Sequence, residues 1–196
     1  LYAIETNRSN IVNESQQSLA SRAMSTATII ENRNELNFTY LEGLASREIL
    51  SNSQYSPEEK RLFLSQEVLK SSNFIQMGYT DVFGNYYSTG TSQISHIGER
   101  EYFVRAVNGN RWIMNPAPSL QENVHDQIVV VYAVPIYENQ VIRGTLVAIA
   151  NARYITDLTL DLGYGENGFA IVVDQNGATV AHPNIQYVHQ QANLLA

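Results

Sequence analysis

The segment Ile97-Gly98-Glu99-Arg100-Glu101-Tyr102-Phe103 concentrates side chains that could bind a small molecule. Arg100 carries a planar guanidinium whose N–H groups match the two oxygens of a carboxylate. Tyr102 and Phe103 follow in the first turn of a predicted helix, where adjacent positions point about 100° apart, so one ring can face a ligand while the other packs inward. From these residues alone, a surface ion pair between Arg100 and Glu99 and two rings packed into a core are equally open interpretations.

The histidines and glycines do not form a catalytic or metal-binding pattern. His182 precedes Pro183 at a predicted strand end and lacks the i, i+4 helical spacing of a metal-binding pair. The glycine-rich run at 163–168 lacks the Gly-Lys-Ser/Thr ending of a phosphate-binding loop and precedes a strand. The remaining histidines are isolated in sequence: His96, His125 and His189. We therefore expect no enzymatic activity, no metal and no cofactor.

Length and composition exclude several classes of protein. The 196 residues, 44% of them hydrophobic, suffice for one large domain, or for one domain and part of a second. A net charge of −7 argues against nucleic acid and anionic membrane surfaces as partners. The chain has no cysteine, which excludes disulfides and thiolate metal sites. It shows neither a signal peptide nor a run of about 20 apolar residues, so we expect it to be a segment of a longer protein.

Helical patterns dominate the first seventy residues. The region 1–52 has no proline and an apolar stripe at helical spacing, which predicts one long stalk helix or, alternatively, two helices broken near residues 32–37. Ser56-Pro57-Glu58-Glu59 predicts a capping box at the start of a helix that ends near residue 71. The apolar residues expected to be partly buried on that helix are Leu62, Leu64 and Leu69.

The middle of the chain has the pattern of an antiparallel sheet. β-Forming residues on both sides of Gly84-Asn85 predict a hairpin over residues 74–89. A short helix at 99–107 and a strand at 112–114 should follow. The two longest strands, 127–137 and 141–150, are apolar at odd and even positions, so both faces of this sheet should be covered, one by helices and the other by the roof of a pocket.

A second hairpin is predicted near the end of the chain. A helix at 151–162 precedes it, and the strands 168–174 and 178–183 flank the turn Gln175-Asn176-Gly177. This hairpin echoes the one around Gly84 about ninety residues earlier, which indicates two related α+β modules.

Four segments resemble, in order and spacing, the double Cache sensor domains. They are the Arg-x-Tyr-Phe helix start at Arg100, the sequence Ala-Val-Pro-Ile-Tyr at 133–137, Gly-Thr-Leu at 144–146, and the region from Gly168-Phe169-Ala170 to His182-Pro183-Asn184. Double Cache domains are extracytoplasmic PAS-like modules of bacterial and archaeal chemoreceptors, sensor histidine kinases and diguanylate cyclases.

The resemblance implies an α+β fold in which a long N-terminal helix precedes a PAS-like antiparallel sheet module and part of a second PAS-like module. The stalk helix would occupy residues 1–52, and the membrane-distal, ligand-binding module residues 53–150. A linker helix at 151–163 would lead to the start of an incomplete membrane-proximal module at 164–196. Transmembrane helices would flank the whole domain outside this chain, on the periplasmic or cell-surface side of the membrane.

By resemblance, the distal module binds a small molecule. The residues expected to contact it are Arg100, Tyr102, Phe103, Trp112, Asn115, Ser119 and Tyr132. The amino-acid-binding members of the family are similar in having a Trp where this chain has Tyr102, a Tyr-x-Asp sequence that falls near Ala117-Pro118-Ser119, and an Asp that falls near Ile149. Because both carboxylates that would hold an α-ammonium group are missing, a small organic anion is the expected ligand.

Two functions from different classes remain possible at this stage. One is a ligand-sensing domain of a transmembrane receptor, forming a weak homodimer through its N-terminal helix, whose polar stripe predicts marginal association. The other is a ligand-free dimerisation or interaction module with a PAS-like core. A hollow cavity around Arg100 would favour the first, and a packed core the second.

Overall fold

The computed structural model describes residues 2–119, 127–160 and 168–194, with the side chains from residue 12 onward. Helix α1 runs unbroken from Tyr2–Ala45, so the prediction of one long helix is confirmed and the alternative break near residue 32 is wrong. At 1.5 Å per residue its 44 residues span about 66 Å. Among the side chains of α1 that the structure describes, buried apolar ones concentrate in the last two turns and include Phe38, Leu41 and Leu44. A one-turn helix, α2 (Glu48–Ser51), follows.

Helix α3 (Pro57–Lys70) begins with the predicted capping box. The Ser56 hydroxyl accepts a hydrogen bond from the Glu59 N–H, and the Glu59 carboxylate accepts one from the Ser56 N–H at 2.8 Å. The predicted burial is confirmed only for Leu64, because Leu62 and Leu69 are 62% and 86% exposed. Phe63 and Val68, which flank Leu64 on the helix surface, make the other core contacts.

The sheet has seven strands in the order β3-β2-β1-β7-β6-β4, with β5 also pairing with β6, and every pairing is antiparallel. The strands are β1 (Phe74–Asp81), β2 (Asn85–Ser88), β3 (Ile94–His96), β4 (Trp112–Ile113), β5 (Ala117–Pro118), β6 (Ile128–Glu138) and β7 (Val141–Asn151). The long helix followed by an antiparallel sheet confirms the predicted α+β class.

A two-residue turn connects the two longest strands. Asn139 and Gln140 have φ angles of 51° and 68°, the left-handed pair that matches the twist of a tight hairpin. Because β6 and β7 are paired from Val129↔Asn151 to Glu138↔Val141, the two strands form the centre of the module.

Both faces of the sheet are covered, as the apolar pattern of its central strands predicts. Alternate residues of β6 and β7, including Val130, Tyr132 and Leu146, pack against α1 and α3 in one core. The intervening residues, including Val131 and Val147, face a second, smaller core on the other side of the sheet. Helix α4 (Glu101–Val107) packs into this second core through Ala106.

Helix α5 (Arg153–Leu160) follows β7 directly, and the final described region holds β8 (Val172–Val173), β9 (Thr179–Ala181) and α6 (Ile185–His189). The predicted similarity between the two hairpins includes the hydrogen bonding of their turns. Asp81 Oδ1 accepts hydrogen bonds from the N–H groups two and four residues later, and Asp174 Oδ1 does the same. Gly84 and Gly177, each three residues after its aspartate, have φ angles of 86° and 81°. A left-handed conformation of this kind favours glycine.

Candidate ligand-binding cavity

A cavity of about 650 Å³ lies on the face of the sheet opposite α1 and α3. Its floor consists of four β-branched residues from the two central strands: Val129, Val131, Val147 and Ile149. They share this face because side chains alternate along a strand. Because Val131 pairs with Ile149 across the two strands, the floor is continuous and apolar.

The second strand of the first hairpin, β2, and the segment after it supply one wall, called here the hairpin wall. Tyr86 and Ser88 lie two residues apart on β2 and both face the cavity. The wall continues through residues 90–97, with Gly90, His96 and Ile97 among the residues that line it. This wall contributes most of the polar groups of the site.

Met114, together with the residues 117–119, forms the opposite wall. Ala117 and Pro118 belong to β5 and pair with Val129 and Ile128 on β6. The Ser119 N–H donates a hydrogen bond of 2.8 Å to the Gln127 carbonyl, which ties the end of this wall to the central sheet.

Arg100 lies at the edge of the cavity, immediately before the first residue of α4. Its guanidinium is exposed and forms no hydrogen bond or ion pair with any residue that the structure describes. The alternative ion pair with Glu99 is therefore absent from the structure. Burial raises the pKa of Tyr102, and the charge of Arg100 partly opposes that increase.

Three of the seven predicted site residues line this cavity: Arg100, Tyr102 and Ser119. The other four lie elsewhere. Phe103 is buried on the inner side of α4, and Trp112 stacks on Arg105, whose guanidinium carbon is 4.6 Å from the ring centre. Asn115 is exposed and donates a hydrogen bond to Asp174 Oδ2 at 2.7 Å.

Tyr132 lies on the helix-covered face of the sheet, since it alternates with Val131 of the cavity floor. Its hydroxyl donates a hydrogen bond of 2.6 Å to Asn34 Oδ1 on α1. The strand is apolar at every position around it, so its sequence gives no alternation from which the orientation of Tyr132 could be predicted.

The sequence-based site omitted the hairpin wall and all four residues of the floor. Tyr86 and Ser88 could have been found from the predicted hairpin, because residues two apart on a strand share a face. The positions that the resemblance aligned with ligand-holding residues, 117–119 and Ile149, do border the same cavity as Arg100. The described lining residues include one arginine and one histidine, and no described lining residue carries a carboxylate group.

The described parts of the chain also lack two other features. They contain no cluster of three or more His, Cys, Asp or Glu side chains that could hold a metal ion. None of the helices in residues 2–119, 127–160 and 168–194 combines the length and the apolar character needed to cross a membrane.

Ligand-binding domains of bacterial chemoreceptors are among the solved structures with the same fold. The ligand-binding domain of the Pseudomonas aeruginosa PAO1 chemoreceptor PctC, in complex with GABA, aligns with a TM-score of 0.70 and 18% identity, covering 83% of this chain and 73% of that one. For PctB of the same organism, in complex with L-Gln, the TM-score is 0.70 and the identity 21%, covering 88% and 70%. Pseudomonas fluorescens CtaA, in complex with L-alanine, gives 0.66 and 17%, covering 92% and 74%.

Sequence comparison assigns the family. No curated protein matches the chain. The profile of the family described as Cache domain matches residues 5–195, nearly the whole sequence, and confirms the predicted resemblance. The chain belongs to the Cache domain family.

Proposed function

We propose that the chain is the ligand-sensing domain of a transmembrane signalling receptor and that its cavity binds a small organic anion. The observation that carries this proposal is the guanidinium of Arg100, which has no hydrogen-bond or ion-pair partner among the described residues, at the edge of a hollow, apolar-floored cavity. A guanidinium in a pocket pairs strongly with a carboxylate through charge-assisted hydrogen bonds. The cavity also favours a ligand-binding function over a ligand-free interaction module, which would have a packed core at this place.

The charges around the cavity favour an anion over an amino acid. GABA, L-Gln and L-alanine, which the three compared chemoreceptor domains bind, each carry an ammonium group beside their carboxylate. An ammonium group inside a pocket needs a carboxylate or several oxygen acceptors. Here Ile149 and the segment 117–119 border the site, and the described lining offers no negative charge.

The domain organisation is part of the proposal. Residues 1–52 form the stalk, 53–150 the membrane-distal module with the cavity, 151–163 the linker helix, and 164–196 the start of a membrane-proximal module. The domain lies outside the cytoplasm, and helices beyond this chain anchor it in the membrane. The repeated turn at Asp81 and Asp174 supports two related modules.

Signalling would follow from a shift between two arrangements of the module. In the closed arrangement, Arg100 on the α4 side lies nearer to the cavity floor formed by β6 and β7. A ligand that contacts both Arg100 and this floor favours the closed arrangement. It changes the equilibrium only by the difference between its affinities for the two arrangements. The floor residue Val131 is adjacent in sequence to Tyr132, whose hydroxyl is hydrogen-bonded to Asn34 on α1. A displacement of β6 on ligand binding would therefore also displace the stalk helix.

The stalk helix carries a surface suited to a second copy of the chain. Ile29 and Leu36 are seven residues apart, both are exposed, and they lie on the side of α1 facing away from the sheet. The exposed positions that continue this stripe at heptad spacing are small or polar, and one of them is charged: Ser18, Arg22, Ser25, Asn32, Thr39 and Gly43. A seam with two large apolar residues favours weak association, which a receptor can switch.

A thermal-shift screen tests the ligand class. The probes are phenylacetate, 4-methylpentanoate, benzoate and acetate, together with L-phenylalanine and L-leucine. A ligand at 100 times its Kd stabilises the folded domain by about 2.7 kcal/mol, or at least about 5 °C in Tm. We expect at least one acid, and neither amino acid, to give such a shift. Shifts with the amino acids alone would contradict the anion proposal, and no shift with any probe would favour the interaction module.

A further inference from the structure

We propose that the Ser88 hydroxyl is a second hydrogen-bond donor for the carboxylate of the ligand, and that the ligand is a monocarboxylate with a branched aliphatic or aryl body. This inference rests on the proposed function and specifies the ligand class of the same cavity. It follows from the hydrogen bonds around Ser88 and from the apolar floor that faces it.

Ser88 is 2% exposed and lies on the cavity-facing side of β2. Its oxygen accepts two hydrogen bonds, one from the Gln76 side-chain amide and one from the Gly90 N–H at 3.0 Å. A serine hydroxyl has two acceptor positions and one hydrogen to donate. Because both acceptor positions are occupied, Ser88 can offer the cavity only its hydrogen.

The surroundings of Ser88 hold the hydroxyl in place before a ligand arrives. Gln76 is buried on the neighbouring strand β1, and Gly90 belongs to the cavity wall directly after β2. A donor fixed in this way loses little conformational freedom when a ligand binds. It favours a ligand atom that accepts hydrogen bonds, such as a carboxylate oxygen. An ammonium group, which is a donor only, gains nothing from it.

The rest of the cavity defines the body of the ligand. Four aliphatic floor residues, with the rings of Tyr86 and Tyr102 on the walls, give a largely apolar surface. The cavity volume of about 650 Å³ far exceeds what acetate needs and falls in the usual range of small-molecule sites. Removing the apolar body removes its burial against the floor, which we expect to weaken binding about 30-fold or more.

Isothermal titration calorimetry with phenylacetate and 4-methylpentanoate tests the role of Ser88. Ser88→Ala removes the donor, and we expect Kd to rise about tenfold for both acids. Since this change also removes a partner of buried Gln76, Ser88→Cys serves as a second variant, with the same shape and a much weaker donor, and should weaken binding in the same direction. Ser92→Ala, on the exposed loop four residues further along and outside the cavity lining, should leave Kd within twofold.

The outcomes separate this inference from the proposed function. If Ser88→Ala and Ser88→Cys bind both acids as tightly as the wild type, while Arg100→Ala loses binding, the role of Ser88 is refuted and the anion receptor stands. If acetate binds as tightly as phenylacetate, or L-phenylalanine does, the ligand class is refuted. If no acid binds the wild type, the proposed function is refuted and this inference with it.

Discussion

Tyr132 on β6 donates a hydrogen bond of 2.6 Å to Asn34 Oδ1 on α1, and the Tyr154 hydroxyl on α5 donates to the same oxygen at 3.3 Å. One side-chain oxygen therefore joins the stalk helix, the central strand of the sheet and the helix that leads to the second hairpin. Arg33 adds a contact, with its guanidinium carbon 3.9 Å from the centre of the Tyr154 ring. We call the side chains of Asn34, Tyr132 and Tyr154 the Asn34 junction. Because Val131 of the cavity floor is adjacent to Tyr132, this junction lies on the opposite face of the sheet from the proposed ligand site.

Replacing the shared acceptor should destabilise the domain. Asn34→Ala leaves the hydroxyl of fully buried Tyr132, and that of Tyr154, without this acceptor. A buried polar group that loses its partner costs about 1–3 kcal/mol, so we expect the free energy of unfolding in urea to fall by about 2 kcal/mol. Asn13→Ala, at an exposed position of the same helix outside the proposed seam, should lower it by less than about 0.5 kcal/mol. Equal stabilities of the two variants would show that the hydrogen bonds to Asn34 contribute nothing to the free energy of unfolding.

The wall of the cavity is linked to the second hairpin by the hydrogen bond from Asn115 to Asp174. Although burial raises the pKa of Asp174, hydrogen bonds from Ala178, Asn115 and Asn176 hold it below its usual value, which indicates a well-satisfied carboxylate. We expect Asn115→Ala to speed hydrogen exchange of the turn amides after Asp174 several-fold. Asn110→Ala, which removes an exposed amide without a hydrogen bond to Asp174, is the matched control. Unchanged exchange in both variants would rule out this link.

The outward stripe of α1 should control self-association. Leu36 is 70% exposed in the monomer, and Leu36→Asp places a charge in the proposed seam with a second copy. Sedimentation velocity over a range of concentrations should show weak dimerisation of the wild type and none of this variant. Met24→Asp is the matched control, because Met24 is 73% exposed but lies on a different side of the helix. Dimerisation lost equally in both variants, or absent from the wild type, would contradict the proposed seam.

The capping box of α3 gives a prediction about pH. Hydrogen bonds from the Ser56 N–H and hydroxyl lower the pKa of Glu59 below its ordinary value of 4.5. Because the folded-state pKa is the lower one, this stabilisation is present above the unfolded-state pKa and is lost as the pH falls through the folded-state pKa. Urea unfolding between about pH 5 and pH 3 should therefore show a steeper loss of stability in the wild type than in Glu59→Gln. If the stabilities of the wild type and Glu59→Gln fell in parallel over this pH range, the contribution of the Glu59 carboxylate would be contradicted.

Removal of the cap itself should be visible at neutral pH. Ser56→Ala removes the hydroxyl that accepts from the Glu59 N–H, and we expect a loss of about 1 kcal/mol in the free energy of unfolding. Ser56→Thr retains a hydroxyl at the cap and should restore most of the loss. Equal stabilities of the alanine and threonine variants would contradict a capping role.

Local chemistry explains which elements could be predicted from the sequence. The capping box at Ser56 and the turn around Gly84 depend on residues within four positions of each other, and both form as predicted. Burial on α3 was predicted less well, because leucine spacing alone does not show which side of a helix faces the sheet. Leu64 packs inward, whereas Leu62 and Leu69 face solvent.

The site was harder to predict because its residues come from segments far apart in the chain. The resemblance located Arg100, Tyr102 and Ser119, which do meet around one cavity. Tyr132 was assigned to that cavity, but in a strand covered on both faces only the three-dimensional packing decides the side. Ser88 was omitted because its importance comes from two hydrogen bonds, to Gln76 and Gly90, that its own sequence neighbourhood does not reveal.

We propose that Arg100 anchors an anionic ligand, and the affinity of the Arg100→Ala variant for such a ligand is the decisive measurement. Calorimetry measures Kd for phenylacetate and 4-methylpentanoate with the wild type and with the variants Arg100→Ala and Arg153→Ala. Arg153→Ala is the control, because the Arg153 side chain is 83% exposed and its replacement removes the same charge outside the cavity. We expect at least thirtyfold weaker binding by Arg100→Ala and a change within twofold for Arg153→Ala. Wild-type affinity in Arg100→Ala would contradict the proposal.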